Sequence, residues 1–262
     1  MRCAVLGDPI AHSLSPALHR AGYAAVGLDW TYDAHRVAAG GLRAFVEVLD
    51  PSWRGLSLTM PLKREGLELA AEASPVARLA GAANTLLIVG DALHADNTDV
   101  PGAVSALRSR YDGPVTGGTV LGGGATAASM ALALCELGAR SITLLVRSPG
   151  RAADTLAALD RHPGRPQVTV GSLADDPVVG DVVVSTLPHE AQSEDLVERC
   201  TRVPVVFDVV YDPWPTPLAA SAADRPLVTG HDLLLRQAAL QFERFTGLGA
   251  PVEAMRAALP QH

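Results

Sequence analysis

The chain has 262 residues and a formal net charge of −7, with 48% hydrophobic and 19% charged residues. That balance describes a globular chain with room for two domains and excludes a disordered one. The acidic surplus argues against a general nucleic-acid binder, which needs a basic face, but not against anionic small molecules held by a few local donors.

Apolar runs alternate with helical patterns along almost the whole length, which predicts an α/β fold with largely parallel sheets. Residues 2–6 read as a first strand rather than a signal peptide, and a turn-rich stretch follows over 7–15. A helix is expected from Ser15-Pro16, with Ser as N-cap and Pro at the first helical position. Strands are predicted over 30–37 and 55–59, helices over 42–49 and 63–71, and a hairpin over 84–89 and 93–95 around Gly90-Asp91. Beyond a helix at 104–110, glycines and Pro114 break the chain. A buried strand over 119–121 then leads through glycines into a helix over 126–137, closed by Gly138. Further buried strands are expected over 142–146, 168–170, 181–186 and 205–210. A strongly apolar helix at 231–245 and a shorter one at 251–259 should pack back on the first half. The domains are therefore drawn as residues 1–100 plus 233–262, discontinuous, and residues 101–232.

Cys3, Cys135 and Cys200 are too few and too scattered for a disulfide framework and form no CxxC, so they read as small buried residues in a reducing cytoplasm. Apolar runs stop short of membrane-spanning length. The histidines are scattered without paired ligand spacing, so no metal is expected.

Gly122-Gly123-Gly124-Ala125-Thr126-Ala127 fits G-x-G-x-x-A between a predicted strand and a predicted helix. In that context Gly122 permits the tight turn, Gly124 lets a pyrophosphate approach the backbone, and Ala127 lets helix and strand pack closely. The helix N-terminus supplies free N–H groups for phosphate. The plain alternative is a tight connection without a ligand. After the next strand, where an NAD site places a carboxylate for the ribose hydroxyls, stand Arg147 and Ser148, with Arg151 beyond and no carboxylate before Asp154. Two guanidiniums and a hydroxyl suit a 2′-phosphate, which points to NADP; a solvated loop is the alternative.

The first half carries polar clusters that local structure does not explain. They are Gly7-Asp8-Pro9-Ile10-Ala11-His12-Ser13-Leu14-Ser15-Pro16, Gly55-Leu56-Ser57-Leu58-Thr59-Met60-Pro61-Leu62-Lys63, Gly81-Ala82-Ala83-Asn84-Thr85 and Asp96-Asn97-Thr98-Asp99. The second half adds Asp208-Val209-Val210-Tyr211-Asp212-Pro213-Trp214-Pro215-Thr216-Pro217-Leu218 and a segment at 230–238. In this order, across residues 5–247, they resemble the shikimate dehydrogenase family. The resemblance implies a substrate-binding and catalytic α/β domain and a Rossmann-like NADP-binding domain. It implies reversible NADPH-dependent reduction of 3-dehydroshikimate to shikimate, in aromatic amino acid biosynthesis.

By the same resemblance, Ser13 and Ser15 would hold the substrate carboxylate. Thr59, Asn84, Asp99, Tyr211 and Gln237 would surround the ring hydroxyls and the reacting oxygen, and Lys63 and Asp99 would be the catalytic pair. Gly122, Gly124, Ala125, Thr126, Arg147, Ser148, Arg151 and Thr186 would hold the cofactor, with Gly230 and Leu233 near the nicotinamide. Each residue also has a duller reading: Ser13 and Ser15 as turn and cap residues, Asn84 and Asp99 as turn formers, Lys63 as a solvated helix start. Gln237 lies within an apolar helical pattern, where a polar side chain needs a partner.

The chain departs from the family pattern at Ser57 and Leu58, at Val100 after the Asp-Asn-Thr-Asp motif, and at Val146-Arg147-Ser148. It also has Ala127 and Ala128 where an arginine often follows the glycine turn. A quinate or aminoshikimate dehydrogenase, or a non-catalytic ligand-binding relative, are the alternatives. A cytoplasmic monomer or homodimer acting on a small molecule, with neither nucleic acid nor membrane as partner, is expected.

Overall fold

The computed structural model describes residues 1–222 and 224–260. The chain divides into two compact units, Met1–Thr98 with Leu234–His262, and Asp99–Leu233.

The first unit runs β1 (Arg2–Gly7), α1 (Ser15–Ala25), β2 (Thr31–Arg36), α2 (Leu42–Glu47), β3 (Trp53–Leu58), α3 (Lys63–Leu69), β4 (Glu72–Ala73), α4 (Pro75–Ala80), β5 (Thr85–Val89) and β6 (Ala92–Asp96). The strands form one sheet in the order β2-β1-β3-β5-β6-β4. Strand β1 pairs parallel with β2 and β3, while β5 runs antiparallel to both β3 and β6. Strand β4 pairs parallel with β6, so the sheet is mixed, with three of its five pairings parallel.

Side chains alternate across the sheet. Cys3 and Val5 of β1 join one buried cluster with Leu18, Tyr23, Tyr32, Phe242 and Phe245, whereas Ala4 and Leu6 join another with Leu42, Leu56, Leu58 and Leu62. Helix α1 opens with Ser15 and Pro16 already inside its first turn and Leu14 at the cap, so Ser15 is not the N-cap the sequence suggests. The cap makes no side-chain hydrogen bond; the Ser13 hydroxyl accepts the Ser15 N–H at 3.4 Å in the turn before it. Helix α4 carries an N-cap signal passed over in the sequence, since Ser74 accepts the Ala77 N–H at 3.1 Å ahead of Pro75.

The second unit runs α5 (Asp99–Arg108), β7 (Gly117–Leu121), α6 (Ala125–Glu136), β8 (Ser141–Val146), α7 (Ala153–Arg161), β9 (Gln167–Ser172), β10 (Val182–Ser185), α8 (Glu194–Cys200), β11 (Val205–Asp208), α9 (Pro217–Ala220) and β12 (Leu227–Val228). Its sheet is parallel throughout, in the order β12-β11-β10-β7-β8-β9. Counted from β7 this is the dinucleotide-binding order 3-2-1-4-5-6, with the strand order reversing at β7. Every residue of α6 from Ala127 to Cys135 is buried. Strand β9 is not the buried strand expected: it lies at the sheet edge, and Val170 is 38% exposed.

Helix α10 (Gly230–Thr246) starts within the second unit and continues into the first, followed by α11 (Val252–Ala257). All three cysteines are free and buried. Burial pushes their thiols up, to about 11 for Cys3 and Cys200 and about 12 for Cys135, so they stay protonated at neutral pH. Among the described residues no helix is long and apolar enough to cross a membrane.

Candidate active site

In the first unit β1 and β3 are parallel neighbours, so the loops that leave their C-terminal ends lie side by side. Such loop pairs are where open α/β sheets bind ligands. The Asp8 N–H donates to the Met60 carbonyl and the Thr59 N–H to the Leu6 carbonyl, both at 2.9 Å. A side chain on Gly7 would overlap that of Thr59, so the close approach of the two loops requires glycine there. The first loop carries Ser13 and Ser15; Ser15 is buried and Ser13 half-buried. The second carries Thr59, half-buried, whose carbonyl accepts the Leu62 N–H at 2.9 Å and turns the chain into α3.

Lys63 is the first residue of α3 and is half-buried. Its carbonyl accepts the Ala83 N–H at 2.7 Å, which brings the following residue, Asn84, alongside. Asn84 is buried at 2% exposure in a polar cluster within the apolar core. Its Oδ1 accepts from the Thr98 N–H and the Thr85 hydroxyl, both at 2.8 Å. Its Nδ2 donates to Thr98 Oγ1 at 2.9 Å and to Gln237 Oε1 at 3.2 Å. Gln237 in turn donates from Nε2 to the Leu234 carbonyl at 3.0 Å. The partner that its place in an apolar helix demanded is therefore Asn84.

The Asp-Asn-Thr-Asp motif separates into distinct tasks. Asp96 accepts from the Ser74 hydroxyl at 2.6 Å, the Asn97 N–H at 2.8 Å and Arg244 Nε at 2.9 Å. Asn97 donates to the Ala82 carbonyl at 2.9 Å. With Thr98 on Asn84, these residues tie the strand end to the loop before β5. Asp99, buried, opens α5 and begins the second unit.

In the second unit the glycine turn joins β7 to α6. Gly122 has φ +115°, a conformation that favours glycine, and the Thr186 hydroxyl fills the space a Cβ would take. That hydroxyl donates to the Leu121 carbonyl at 2.9 Å, which places Thr186, from the end of β10, against the turn. Gly124 caps α6 with no side-chain cap bond, and a Cβ on it would meet nothing within 4 Å. The N–H groups of Ala125 and Thr126, in the first turn of α6, have no acceptor within the helix, which is what a helix N-terminus offers a pyrophosphate. Arg147, Ser148 and Arg151 are exposed just past β8. The turn, the bare helix end and the two guanidiniums fit a phosphorylated dinucleotide.

Tyr211 lies in a loop that a buried carboxylate holds in shape. Asp208 is fully buried and accepts from Thr216 Oγ1 at 2.6 Å, Gln192 Nε2 at 2.9 Å and the Val210 N–H at 3.1 Å. Burial raises its pKa, and the three donors oppose that rise. The ring of Tyr211 stacks on His231 with centroids 5.5 Å apart. Gly230 and Leu233, both buried, belong to the first turn of α10.

The structure thus gathers Ser13, Ser15, Thr59, Lys63, Asn84 and Gln237 in or against the loops of the first unit. It gathers Gly122, Gly124, Ala125, Thr126, Arg147, Ser148, Arg151 and Thr186 at the C-terminal ends of β7, β8 and β10. The sequence motifs contain Ser57, Thr85 and Thr98 but gave them no role, and Gln241 was missed altogether; the structure links all four to Asn84 directly or through Gln241. Gln241 had a signal: it stands four residues after Gln237, on the same helix face.

Residues 5–86 match the shikimate dehydrogenase substrate binding domain and residues 230–259 the shikimate 5′-dehydrogenase C-terminal domain. The shikimate dehydrogenase (NADP(+)) of Caulobacter vibrioides is 38% identical over 93% of this chain and 88% of its own length. The crystal structure of Mycobacterium tuberculosis shikimate dehydrogenase superposes with a TM-score of 0.89 at 40% identity, covering 98% of both chains. That of the Thermus thermophilus shikimate 5-dehydrogenase, in complex with NADP(H) and shikimate, covers 98% of both chains with a TM-score of 0.80 at 30% identity. With the fold, the ordered motifs and these likenesses in agreement, the chain belongs to the shikimate dehydrogenase family.

Proposed function

We propose that this chain is an NADP-dependent shikimate dehydrogenase, an oxidoreductase that reduces the ketone of 3-dehydroshikimate to the alcohol of shikimate and runs in reverse. The observation that carries the reading is the polar cluster of Asn84, Thr98 and Gln237 beside the backbone-linked Lys63, set against the apolar core of the first unit. Such a cluster suits a small polyhydroxylated ring.

Bound NADPH supplies the hydride, and the protein supplies position and charge. The hydroxyls of Ser13 and Ser15 hold the substrate carboxylate, and Thr59, Asn84, Tyr211 and Gln237 orient the ring. As the carbonyl carbon is reduced, negative charge develops on its oxygen. The Lys63 ammonium stabilises that charge and delivers the proton, and the Asp99 carboxylate completes the catalytic pair. In the reverse direction neutral lysine takes the hydroxyl proton. Gly122, Gly124, Ala125, Thr126 and Thr186 cradle the pyrophosphate, Arg147, Ser148 and Arg151 take the 2′-phosphate, and Gly230 and Leu233 border the nicotinamide. The catalytic chemistry uses no metal. The enzyme works as a monomer or homodimer on a small molecule, without nucleic acid or membrane, and its protonated buried thiols suit a reducing cytoplasm.

The test follows NADP⁺ reduction with shikimate by absorbance, with quinate and NAD⁺ in parallel and with Lys63→Ala. Turnover confined to shikimate with NADP⁺, reduced about 10²–10⁴-fold in Lys63→Ala, is the expected result. Turnover that survives Lys63→Ala unchanged would remove lysine from the mechanism. Efficient turnover of quinate or NAD⁺ would overturn the specificity.

A further inference from the structure

We propose that Gln241, Ser57 and Tyr32 are positioning residues for substrate binding, which fix the side-chain amide of Asn84 from behind; this rests on the reading of Asn84 as a substrate contact.

The three side chains are 1%, 4% and 0% exposed, respectively, so they act through another group. Their hydrogen bonds form one directed chain. Gln241 Nε2 donates to the Asn84 carbonyl at 2.9 Å, and a carbonyl can only accept, so the other end of that amide is the oxygen. Oε1 accepts from the Ser57 hydroxyl at 2.8 Å. Having donated, Ser57 must accept from Tyr32, whose hydroxyl lies 2.5 Å away. The phenol ring is itself immobilised, stacked on His19 with centroids 4.1 Å apart and planes 6° from parallel.

At the other end, Gln241 Nε2 also donates to Thr85 Oγ1 at 3.0 Å, which turns the Thr85 hydroxyl onto Asn84 Oδ1 at 2.8 Å. The Thr98 N–H reaches the same oxygen. Asn84 therefore presents Nδ2 toward Gln237 and Thr98 with no freedom to flip. Two main-chain groups set the direction of the side-chain links between them: the Asn84 carbonyl orients the Gln241 amide and the Thr98 N–H orients the Asn84 amide. A chain that merely satisfied buried polar atoms would need no common direction ending on one side chain.

The test is a double-mutant cycle in the full-length protein, read as kcat/KM for shikimate with KM for NADP⁺ followed alongside. Gln241→Met keeps the side-chain length and removes both donors and the acceptor. We expect kcat/KM for shikimate to fall about tenfold, chiefly through KM for shikimate, with KM for NADP⁺ unchanged. In an Asn84→Ala background, itself impaired by at least about tenfold, the same change should add less than about twofold.

A Gln241 effect that multiplies fully with Asn84→Ala, or that raises both KM values alike, overturns the proposal while leaving Asn84 a substrate contact. Asn84→Ala without loss overturns that contact, and the proposal with it. Ser57→Ala, a gentler change, covers a Gln241 variant that fails to fold. A roughly threefold fall, restored by the hydroxyl of Ser57→Thr, supports the chain; no fall, or an equal fall in both, overturns it.

Discussion

The main-chain N–H of Thr98 donates to Oδ1 of Asn84 at 2.8 Å and, together with the Thr85 hydroxyl on the same oxygen, marks that end of the Asn84 amide as the carbonyl. The Nδ2 end then faces two oxygens, Thr98 Oγ1 at 2.9 Å and Gln237 Oε1 at 3.2 Å. Asn84→Asp keeps the shape but turns that donor into an acceptor. Gln237 cannot simply flip to compensate, because its own Nε2 is committed to the Leu234 carbonyl at 3.0 Å. We expect the variant to fold with a stability loss of roughly 1–3 kcal/mol. Its kcat/KM for shikimate should fall at least about tenfold, and KM for NADP⁺ should not move. Urea unfolding together with steady-state kinetics reads both effects; an unaltered urea midpoint would show that the direction of the amide is not needed.

Cofactor preference should rest on Arg147 and Arg151, both exposed and close to the glycine turn. Arg151 also touches the turn through its backbone, since a side chain on Gly123 would overlap the Arg151 carbonyl. Truncating its side chain leaves that packing intact. Charge-assisted hydrogen bonds contribute about 1.5–3 kcal/mol each, so Arg147→Ala and Arg151→Ala should each raise KM for NADP⁺ about ten- to a hundredfold. KM for NAD⁺, which lacks the 2′-phosphate, should stay constant. The ratio of kcat/KM for the two cofactors is the measurement, and a ratio unmoved by either change would locate the 2′-phosphate elsewhere.

Asp208 connects fold and site in the second unit. Its carboxylate takes hydrogen bonds from Thr216, Gln192 and the Val210 N–H, and so shapes the loop that carries Tyr211. Thr216 also caps α9 by accepting the Ala219 N–H at 3.1 Å. Thr216→Val deletes both roles at nearly constant volume and should destabilise the protein by roughly 2 kcal/mol. Asp208→Ala, which strands three donors, should cost more than Thr216→Val. Thermal unfolding of the two variants ranks them, and the reverse order would mean that the cap matters more than the carboxylate.

What was legible in the sequence was whatever local chemistry encodes. The strand–glycine–helix turn at Gly122 could be read because the positive φ and the bare helix end follow from residue type. The clusters around Ser13, Lys63 and Asn84 stood out because polar residues crowd where no turn or cap needs so many. The buried network was not legible: Ser57 and Gln241 meet across 184 positions, and only the packing of α10 against the sheet brings them together. Strand β9 was misread as buried because Val168 and Val170 look like core, although its place at the edge of the sheet leaves Val170 exposed. The antiparallel turn of β5 and β6 was visible through Gly90-Asp91, but its effect on the parallel character of the whole sheet was not.

His19 gives the protein a built-in sensitivity to acid. The ring is fully buried and stacked on Tyr32, and burial opposes its protonated form more than the Gln241 side chain supports it. Burial holds its pKa down from 6.5 to about 3, so the native state keeps the ring neutral. In the unfolded chain the ring protonates near its ordinary value. Between those two pKa values the unfolded state binds the extra proton, so stability rises with pH and falls as pH drops through the window from about 6.5 to about 3. From pH 8 to pH 5 this one group should remove roughly 2 kcal/mol. His19→Phe keeps an aromatic ring against Tyr32 and cannot titrate. Urea midpoints of the two proteins at pH 8 and pH 5 isolate the effect, because titrations elsewhere are common to both and cancel in the difference. The wild-type protein should lose more stability than the variant over that interval. Equal losses would mean that His19 is protonated inside the fold, or that water reaches it.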